Sequence, residues 1–230
     1  MARPLGVDVE EARELFVTTL DAFMTVAEGL DDRELVAASR CHGWTTGAVL
    51  AHVHLGLQEM TLGFLDPTDE PPDADAASYW VSPVPATDAG AEVLDQVRFV
   101  QRLAAAYRRP SGVVTHLRMT ADGVRRAALA SPAGAVRFQG QVLLLGDFLT
   151  TWIVELAVHQ LDLARELDLP APPPPALALA RATVEALAEG ELPVAWADET
   201  AVLVGSGRIE LDDARRREAG AVAERLPSLA

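Results

Sequence analysis

The sequence predicts an all-α protein in which a helical bundle is followed by a small C-terminal extension. Half of the 230 residues are apolar and only 5% are aromatic, and most of the apolar residues are Ala, Leu and Val. Ala-rich stretches favour helix, and a chain of this length can bury a sizeable core. Apolar residues recur at helical spacing in several long stretches, and no alternating pattern typical of strands stands out. Long helices joined by shorter loops indicate a bundle.

The first two predicted helices have recognisable ends. One face of the first, over residues 8–28, carries Leu15, Phe16, Leu20, Phe23 and Val26. Gly29 can adopt the left-handed conformation that ends many helices. Thr45 or Thr46 can cap the second helix, which extends to about Leu65 and is stopped by Pro67.

The middle of the chain alternates between helices and loops. Residues 66–87 are rich in Pro, Asp and Ala without a period, which predicts a long loop. Amphipathic stretches predict helices over residues 88–108 and 111–129, and Gly and Pro residues predict a turn over residues 131–140. A long helix over residues 142–167 is apolar nearly all round, so we expect it to be buried.

A proline-rich segment at residues 170–175 marks the proposed domain boundary, since prolines stop a helix sharply. We therefore divide the chain into a metal-binding helical bundle over residues 1–170 and a C-terminal helical extension over residues 171–230. The extension contains a predicted helix over residues 176–190. Its residues 202–204 and 208–211 are compatible with a small hairpin.

Charge and cysteine content argue against several classes of protein. A nucleic-acid-binding protein needs a basic face, whereas this chain has a formal net charge of −15, which also disfavours an anionic membrane surface. The single cysteine, Cys41, permits no intrachain disulfide and fits a reducing cytosol. We see no signal peptide and no apolar run of membrane-spanning length, so we expect a cytoplasmic protein.

Two polar residues on the long buried helix suggest a metal site. Glu155 and His159 are four positions apart, which places their Cβ atoms about 5–6 Å apart on one face. A buried carboxylate needs a cation, a hydrogen-bond donor or a proton, so one metal ion could be bound by both side chains. The alternatives are a buried Glu–His hydrogen bond and a Glu bonded to an Arg.

The second predicted helix offers a third ligand. His52 faces the core, whereas His54 turns toward a more polar side. Gly56, one turn later, leaves room beside the imidazole. His52, Glu155 and His159 together form a ligand set that suits zinc or nickel, and three protein ligands leave an open position, as in catalytic sites. The alternative is a core His52 bonded to Glu59, which could also act as second shell to His52 or as a fourth ligand.

Three short motifs resemble a known family. Residues 44–52 (WTTGAVLAH) resemble the W-[ST]-x(3)-L-x-x-H pattern of the DinB-like metalloprotein superfamily, with Val49 at the Leu position. Residues 155–164 (ELAVHQLDLA) resemble the E-x(2)-V-H-x-x-D-L-A signature of its mycothiol-dependent maleylpyruvate isomerase branch. Residues 206–208 (SGR) are similar to the [ST]-G-R that follows the bundle in many relatives.

The resemblance implies a DinB-like four-helix bundle with one divalent metal, zinc or else nickel, held by His52, Glu155 and His159. It also implies mycothiol, the usual low-molecular-weight thiol of actinobacteria, as co-substrate. The implied function is an isomerase or S-transferase acting on a small electrophilic substrate, as a monomer or homodimer. Relatives usually have Gly or Ala and then Trp at the positions of Gln160 and Leu161, so the substrate is left open.

Two other functions stay open at this point. One is a bundle that binds metal or a ligand without turnover, and the other is a pathway-specific enzyme that uses the metal as a Lewis acid without a thiol.

Other polar residues have roles that the sequence leaves undecided. Arg208 could bind a substrate carboxylate or lie on the surface after a Gly turn. Asp162, one turn after His159, could orient its imidazole or lie at a solvated helix edge. Cys41 precedes the second helix, so its thiol could lie near the site, although it fits best as a small core residue.

Overall fold

The computed structural model describes residues 2–81 and 86–229, so residues 82–85 of the predicted 66–87 loop lie outside the described residues. The α-helices of the described chain are, in order, α1 (Val9–Gly29), α2 (Thr46–Phe64), α3 (Ala86–Ala106), α4 (Gly112–Ala130), α5 (Leu145–Leu163), α6 (Pro174–Leu187), α7 (Asp198–Gly205) and α8 (Asp213–Ala219). Within the same residues, the strands β1 (Pro67–Thr68), β2 (Ala135–Phe138) and β3 (Gln141–Leu144) form one small sheet. The predicted helical fold is confirmed.

Four of these helices, α1, α2, α4 and α5, form the bundle. α1 packs along α5 and α2 along α4, with further contacts between α1 and α4 and between α2 and α5. All four helices contribute fully buried side chains to the core between them, among them Phe16, Phe23, Leu50, Leu57, Leu117, Phe148 and Leu149. Burying one side chain of this kind stabilises the fold by about 1.5–3 kcal/mol. None of the described helices combines the length and apolarity needed to cross a membrane.

α5 is enclosed on nearly every side, as its sequence predicts. Every residue of this helix is buried except Glu155. α1 and α2 cover it from the bundle, and α6 and α7 of the C-terminal extension cover it from outside. The helix begins at Leu145 rather than at residue 142, because residues 141–144 pair as strand β3.

Two of the three predicted helix ends are confirmed. The Thr45 side chain accepts a hydrogen bond from the backbone N–H of Ala48 and so caps α2. Pro67 follows the end of this helix as expected. The prediction that Gly29 adopts a left-handed conformation is wrong. Gly29 remains helical, and the chain leaves α1 in an extended conformation at Leu30. Leu30 is buried there, and a short 3-10 helix (Glu34–Val36) follows almost at once.

The small three-stranded sheet is not among the predicted elements. β2 and β3 are antiparallel neighbours, and β1 pairs with the other edge of β2. Gln139 and Gly140 connect β2 to β3 with positive φ angles of 48° and 79°, the conformation favoured in two-residue hairpin turns. Strands of two and four residues are too short to show an alternating period, so the sequence does not predict them.

The described part of the long 66–87 loop is hydrogen-bonded to this hairpin. The backbone N–H groups of Asp73 and Ala74 donate to the Val142 carbonyl at 3.0 and 3.3 Å, and the Val142 N–H donates to the Asp73 carboxylate at 2.7 Å. The Gln141 side chain donates to the Tyr79 carbonyl at 3.3 Å. The described part of the loop therefore has a defined position, and it includes a 3-10 turn (Ser78–Trp80).

The C-terminal extension packs on the bundle rather than standing apart. α6 lies against both α5 and α7. The predicted hairpin is wrong, because residues 202–204 belong to α7. Gly205, the last residue of α7, packs closely against α6. A Cβ on Gly205 would lie 2.3 Å from the Val184 Cγ1, so the helix presents its bare backbone to α6. The division at residue 170 remains a prediction.

Asp147 gives the fold a pH-dependent stability. Its carboxyl lies in the first turn of α5, almost fully buried, and one oxygen has no hydrogen-bond partner among the described residues. Burial, with the charge of Asp75, raises its pKa from 3.8 to about 6 against the opposing effect of two backbone N–H donors. Because the folded-state pKa exceeds the unfolded one, ionisation opposes folding, and stability falls as the pH rises from about 4 to about 6.

Asp147→Asn is therefore expected to be more stable than wild type above pH 6, by about 1–3 kcal/mol. The gain should disappear near pH 4, where the wild-type carboxyl is protonated. Urea unfolding at the two pH values measures the difference. A gain of the same size at both values would show that ionisation of Asp147 is not its source.

Candidate metal centre

The structure brings the three predicted ligands together. α2 presents His52, and α5 presents Glu155 and His159 from the facing side of the bundle. The His159 Nε2 lies 3.0 Å from the Glu155 Oε2, and the ring centroids of His52 and His159 are 4.8 Å apart. One ligand atom from each of the three side chains lies within 4.8 Å of the others. One cation could therefore contact all three.

Asp162 fixes the orientation of the His159 ring. Its carboxylate is fully buried, and the Oδ2 accepts a hydrogen bond of 2.9 Å from the His159 Nδ1. Because the His159 Nδ1 donates to this carboxylate, its Nε2 is directed at Glu155 and His52. The same arrangement is found behind many metal-bound imidazoles. The sequence left two roles open for Asp162. Its burial and its contact with Nδ1 favour the orientation of His159 over a place at a solvated helix edge.

Arg208 and Cys41 are both hydrogen-bonded to the Asp162 carboxylate. The Arg208 Nε donates to the Asp162 Oδ1 at 3.2 Å, and its Nη1 donates to the Ser206 carbonyl at 2.8 Å. The Cys41 thiol donates to the Asp162 Oδ2 at 3.1 Å. Arg208 is therefore not a free surface residue, and Cys41 is a half-buried polar contact rather than a simple core residue.

The position of Cys41 beside the site, one of the two possibilities that the sequence left open, depends on tertiary pairing. The Arg40 backbone N–H donates to the Asp162 carbonyl at 2.9 Å, which places the loop before α2 against the end of α5. Cys41, His159 and Asp162 also have ligand atoms within 4.8 Å of one another. The Arg208 guanidinium on this carboxylate disfavours a second cation there, so we describe these residues as a hydrogen-bonded network behind the site.

The protonation of the two histidines differs. Burial, together with the nearby His159, lowers the pKa of His52 to about 4, so its lone pair is free at neutral pH. Burial alone would lower the pKa of His159, but hydrogen bonds with Asp162, Cys41 and Glu155 outweigh it and hold the pKa well above 6.5. Burial likewise opposes ionisation of Asp162, yet His159 and Arg208 lower its pKa to about 2.

A cavity of about 190 Å³ opens onto the cluster. Its polar lining consists of the three candidate ligands and Arg208. Trp80, from the 66–87 loop that is hydrogen-bonded to the hairpin, forms another part of the wall. The remaining lining residues are apolar, and they are Val154, Val158 and Leu229. Arg208 and Leu229 belong to the C-terminal extension, so the site is built from both parts of the chain.

Two expectations for α2 need correction. Glu59 does not join the cluster: it is exposed and accepts a hydrogen bond of 3.1 Å from Gln139. It lies two helical turns beyond His52, about 10 Å along the axis, which is too far for a direct contact. His54 is buried rather than on a polar side, and its Nδ1 is hydrogen-bonded to Thr120 at 3.1 Å, because α4 covers that face.

Gly56 makes room for a different side chain than expected. A Cβ at this position would lie 2.8 Å from the Trp152 Cη2. The missing side chain therefore admits the Trp152 indole of α5, and it brings α2 and α5 close together one turn away from the ligands.

Residues 17–164, well over half of the chain, match the model of the mycothiol maleylpyruvate isomerase N-terminal domain. The chain belongs to this family. The matched segment of this family member contains all three candidate ligands, whereas Arg208 and the rest of the C-terminal extension lie beyond it.

The fold of this chain is similar to that of solved structures. A crystal structure of the mycothiol-dependent maleylpyruvate isomerase aligns with a TM-score of 0.53 and 16% identity over 79% of this chain and 70% of that one. A crystal structure of a mutant of such an isomerase aligns with a TM-score of 0.58 and 15% identity over 88% of this chain and 90% of that one. Among curated proteins, none matches the sequence significantly. At these identities the likeness shows the shared DinB-like fold.

Proposed function

We propose that the protein is a metal-dependent enzyme that uses mycothiol to isomerise a small electrophilic substrate. The observation that carries this proposal is the His52, Glu155 and His159 cluster at the base of a cavity, in a member of the mycothiol maleylpyruvate isomerase family. Reversible addition of a thiol to an alkene allows rotation about the resulting single bond, so that elimination returns the other geometric isomer and the thiol. Attack on a substrate with a leaving group would instead give S-transfer.

The donor set fits a divalent metal. Two imidazole nitrogens and one carboxylate oxygen match the ligands that zinc takes at catalytic sites, and nickel accepts the same set. The open cavity supplies the further position that catalysis needs. A zinc ion held there would lower the pKa of a thiol bound beside it, so that thiolate exists at neutral pH.

The residues around the cluster have separate tasks in this proposal. His52 is neutral at neutral pH, so its nitrogen can bind without first losing a proton. Asp162 holds the His159 ring through Nδ1, which fixes the direction of Nε2. Arg208 directs four of its five N–H donors at Asp162, Ser206 and the Cys41 sulfur, and one N–H on Nη1 remains for a substrate carboxylate.

The test is turnover by the zinc-loaded protein with and without mycothiol. The substrates are a panel of maleyl, epoxide and alkyl-halide compounds. We expect cis–trans isomerisation of at least one maleyl compound that depends strictly on the thiol, with S-transfer as the second form of activity. Isomerisation at the same rate without thiol would indicate a thiol-independent enzyme, and metallated protein inert toward every compound would indicate a binding protein.

A further inference from the structure

The two histidines of the cluster are supported in different ways. The His159 Nδ1 is hydrogen-bonded to the buried Asp162 carboxylate at 2.9 Å. The His52 imidazole has no hydrogen-bond partner among the residues that the structure describes. Imidazoles that bind a metal usually have a partner on the second ring nitrogen, which fixes the orientation of the ring. The orientation of His52 therefore depends on contacts of another kind.

Two aromatic rings lie beside the His52 imidazole. The His159 centroid is 4.8 Å away, with the ring planes at 76°, and the Trp44 indole centroid is 5.4 Å away, with the planes at 72°. Edge-to-face pairs are attractive at centroid separations of about 4.5–7 Å. Side chains of a helix tilt toward its N-terminus, and Trp44 precedes α2, so His52 leans toward the indole. Two nearly perpendicular neighbours restrict the rotation of the His52 ring.

Trp44 is itself held in place by the loop before α2. Its backbone N–H donates to the Cys41 carbonyl at 3.0 Å. Its carbonyl accepts hydrogen bonds from the N–H and the hydroxyl of Ser39, each at 3.0 Å, and Ser39 is fully buried. The next residue, Thr45, caps α2. The backbone that carries the indole is therefore fixed on both sides.

The geometry points to Trp44 as a positioning residue, whose indole holds the His52 imidazole in the orientation that binds the metal. Trp44 is not one of the residues that line the cavity, so it acts through His52 and not on a substrate. Cys41 of the same loop contacts the Asp162 that orients His159, so one loop supports both histidines. This inference rests on the proposed function only in the bound metal.

The experiment measures zinc affinity by competition with a chromogenic chelator in wild type and in two variants. Trp44→Leu keeps an apolar side chain but removes the ring, and we expect it to bind zinc about tenfold more weakly. Trp44→Phe keeps an aromatic ring, so its zinc affinity should lie within about threefold of wild type. Circular dichroism checks that each variant is folded at the temperature of the titration.

Cobalt(II) provides a second readout, because its visible absorption depends on the geometry of its ligands. Trp44→Phe should give the wild-type cobalt spectrum, and Trp44→Leu should give an altered one. Trp196→Leu is the matched control, since Trp196 is buried and its indole N–H donates to Glu218 at 2.6 Å, away from the cluster. This control should lose stability but keep the zinc affinity and the cobalt spectrum of wild type.

Three results would overturn the inference: equal zinc affinity in wild type and Trp44→Leu, equal losses in the Leu and Phe variants, or a wild type that binds neither zinc nor cobalt. A zinc affinity that depends on the ring, in a protein that shows no thiol-dependent turnover, would instead support the inference and contradict the proposed function.

Discussion

Replacing His159 by alanine is expected to reduce bound metal from about one equivalent per chain to nearly none. His159 supplies one of the three ligand atoms and also lies 3.0 Å from Glu155, so its loss leaves His52 and a carboxylate alone. We expect thiol-dependent turnover to fall by about 1,000-fold or more. His52→Ala should behave in the same way. Inductively coupled plasma mass spectrometry after zinc incubation and desalting measures the metal.

A second histidine substitution separates metal loss from a general effect on the fold. His116 is exposed on α4 and hydrogen-bonded to Tyr107 at 3.1 Å, and it lies outside the cluster. His116→Ala should keep both the metal and the activity. Circular dichroism checks that all variants are folded. Absence of metal in wild type after incubation with zinc and with nickel would contradict the metal site and leave Glu155 and His159 as a polar pair without a bound ion.

Asp162→Ala is expected to destabilise the protein by about 3–5 kcal/mol, the range for removing one partner of a buried ion pair. The substitution leaves the Arg208 guanidinium, whose side chain is only 22% exposed, without its carboxylate. It also removes the acceptor that orients His159, so the affinity for zinc should fall by about 10–100-fold. Urea unfolding and competition with a chromogenic chelator measure the two effects.

Two comparisons make this result specific. Asp162→Asn keeps an oxygen that can accept from Arg208, and it should lose less stability than Asp162→Ala. Asp66 forms a surface ion pair with Arg137 at 3.3 Å, with a side chain 55% exposed, so Asp66→Ala should cost about 0–1 kcal/mol. If Asp162→Ala cost no more than that surface substitution, the network behind the site would not contribute to stability.

The helices of the bundle could be predicted because their signals are local. The apolar period along α1, the long apolar stretch of α5 and the Thr45 cap depend only on neighbouring residues. Glu155 and His159 were found for the same reason, since a spacing of four places them on one face of any helix. What failed were features of a few residues, namely the strands β2 and β3 and the end of α1, whose conformation depends on what packs against them.

His54 and Glu59 show the limit of assigning faces to a single helix. The sequence separates an apolar side of α2 from a polar one, and it places His54 on the polar side. In the bundle, α4 covers His54, while Glu59 turns to Gln139 of the hairpin. A helix with neighbours on two sides has two buried faces, and periodicity along one chain segment does not reveal the second.

The sequence by itself determined the helical class, the main helices and the three candidate ligands, because periodicity, capping and residue spacing are encoded within single segments. Only the tertiary structure decided that the extension covers α5 and brings Arg208 to Asp162. The same holds for the contact of Cys41 with that carboxylate and for the position of Trp80 in the cavity wall. These contacts join residues far apart in the chain, and they form only when separate elements pack together.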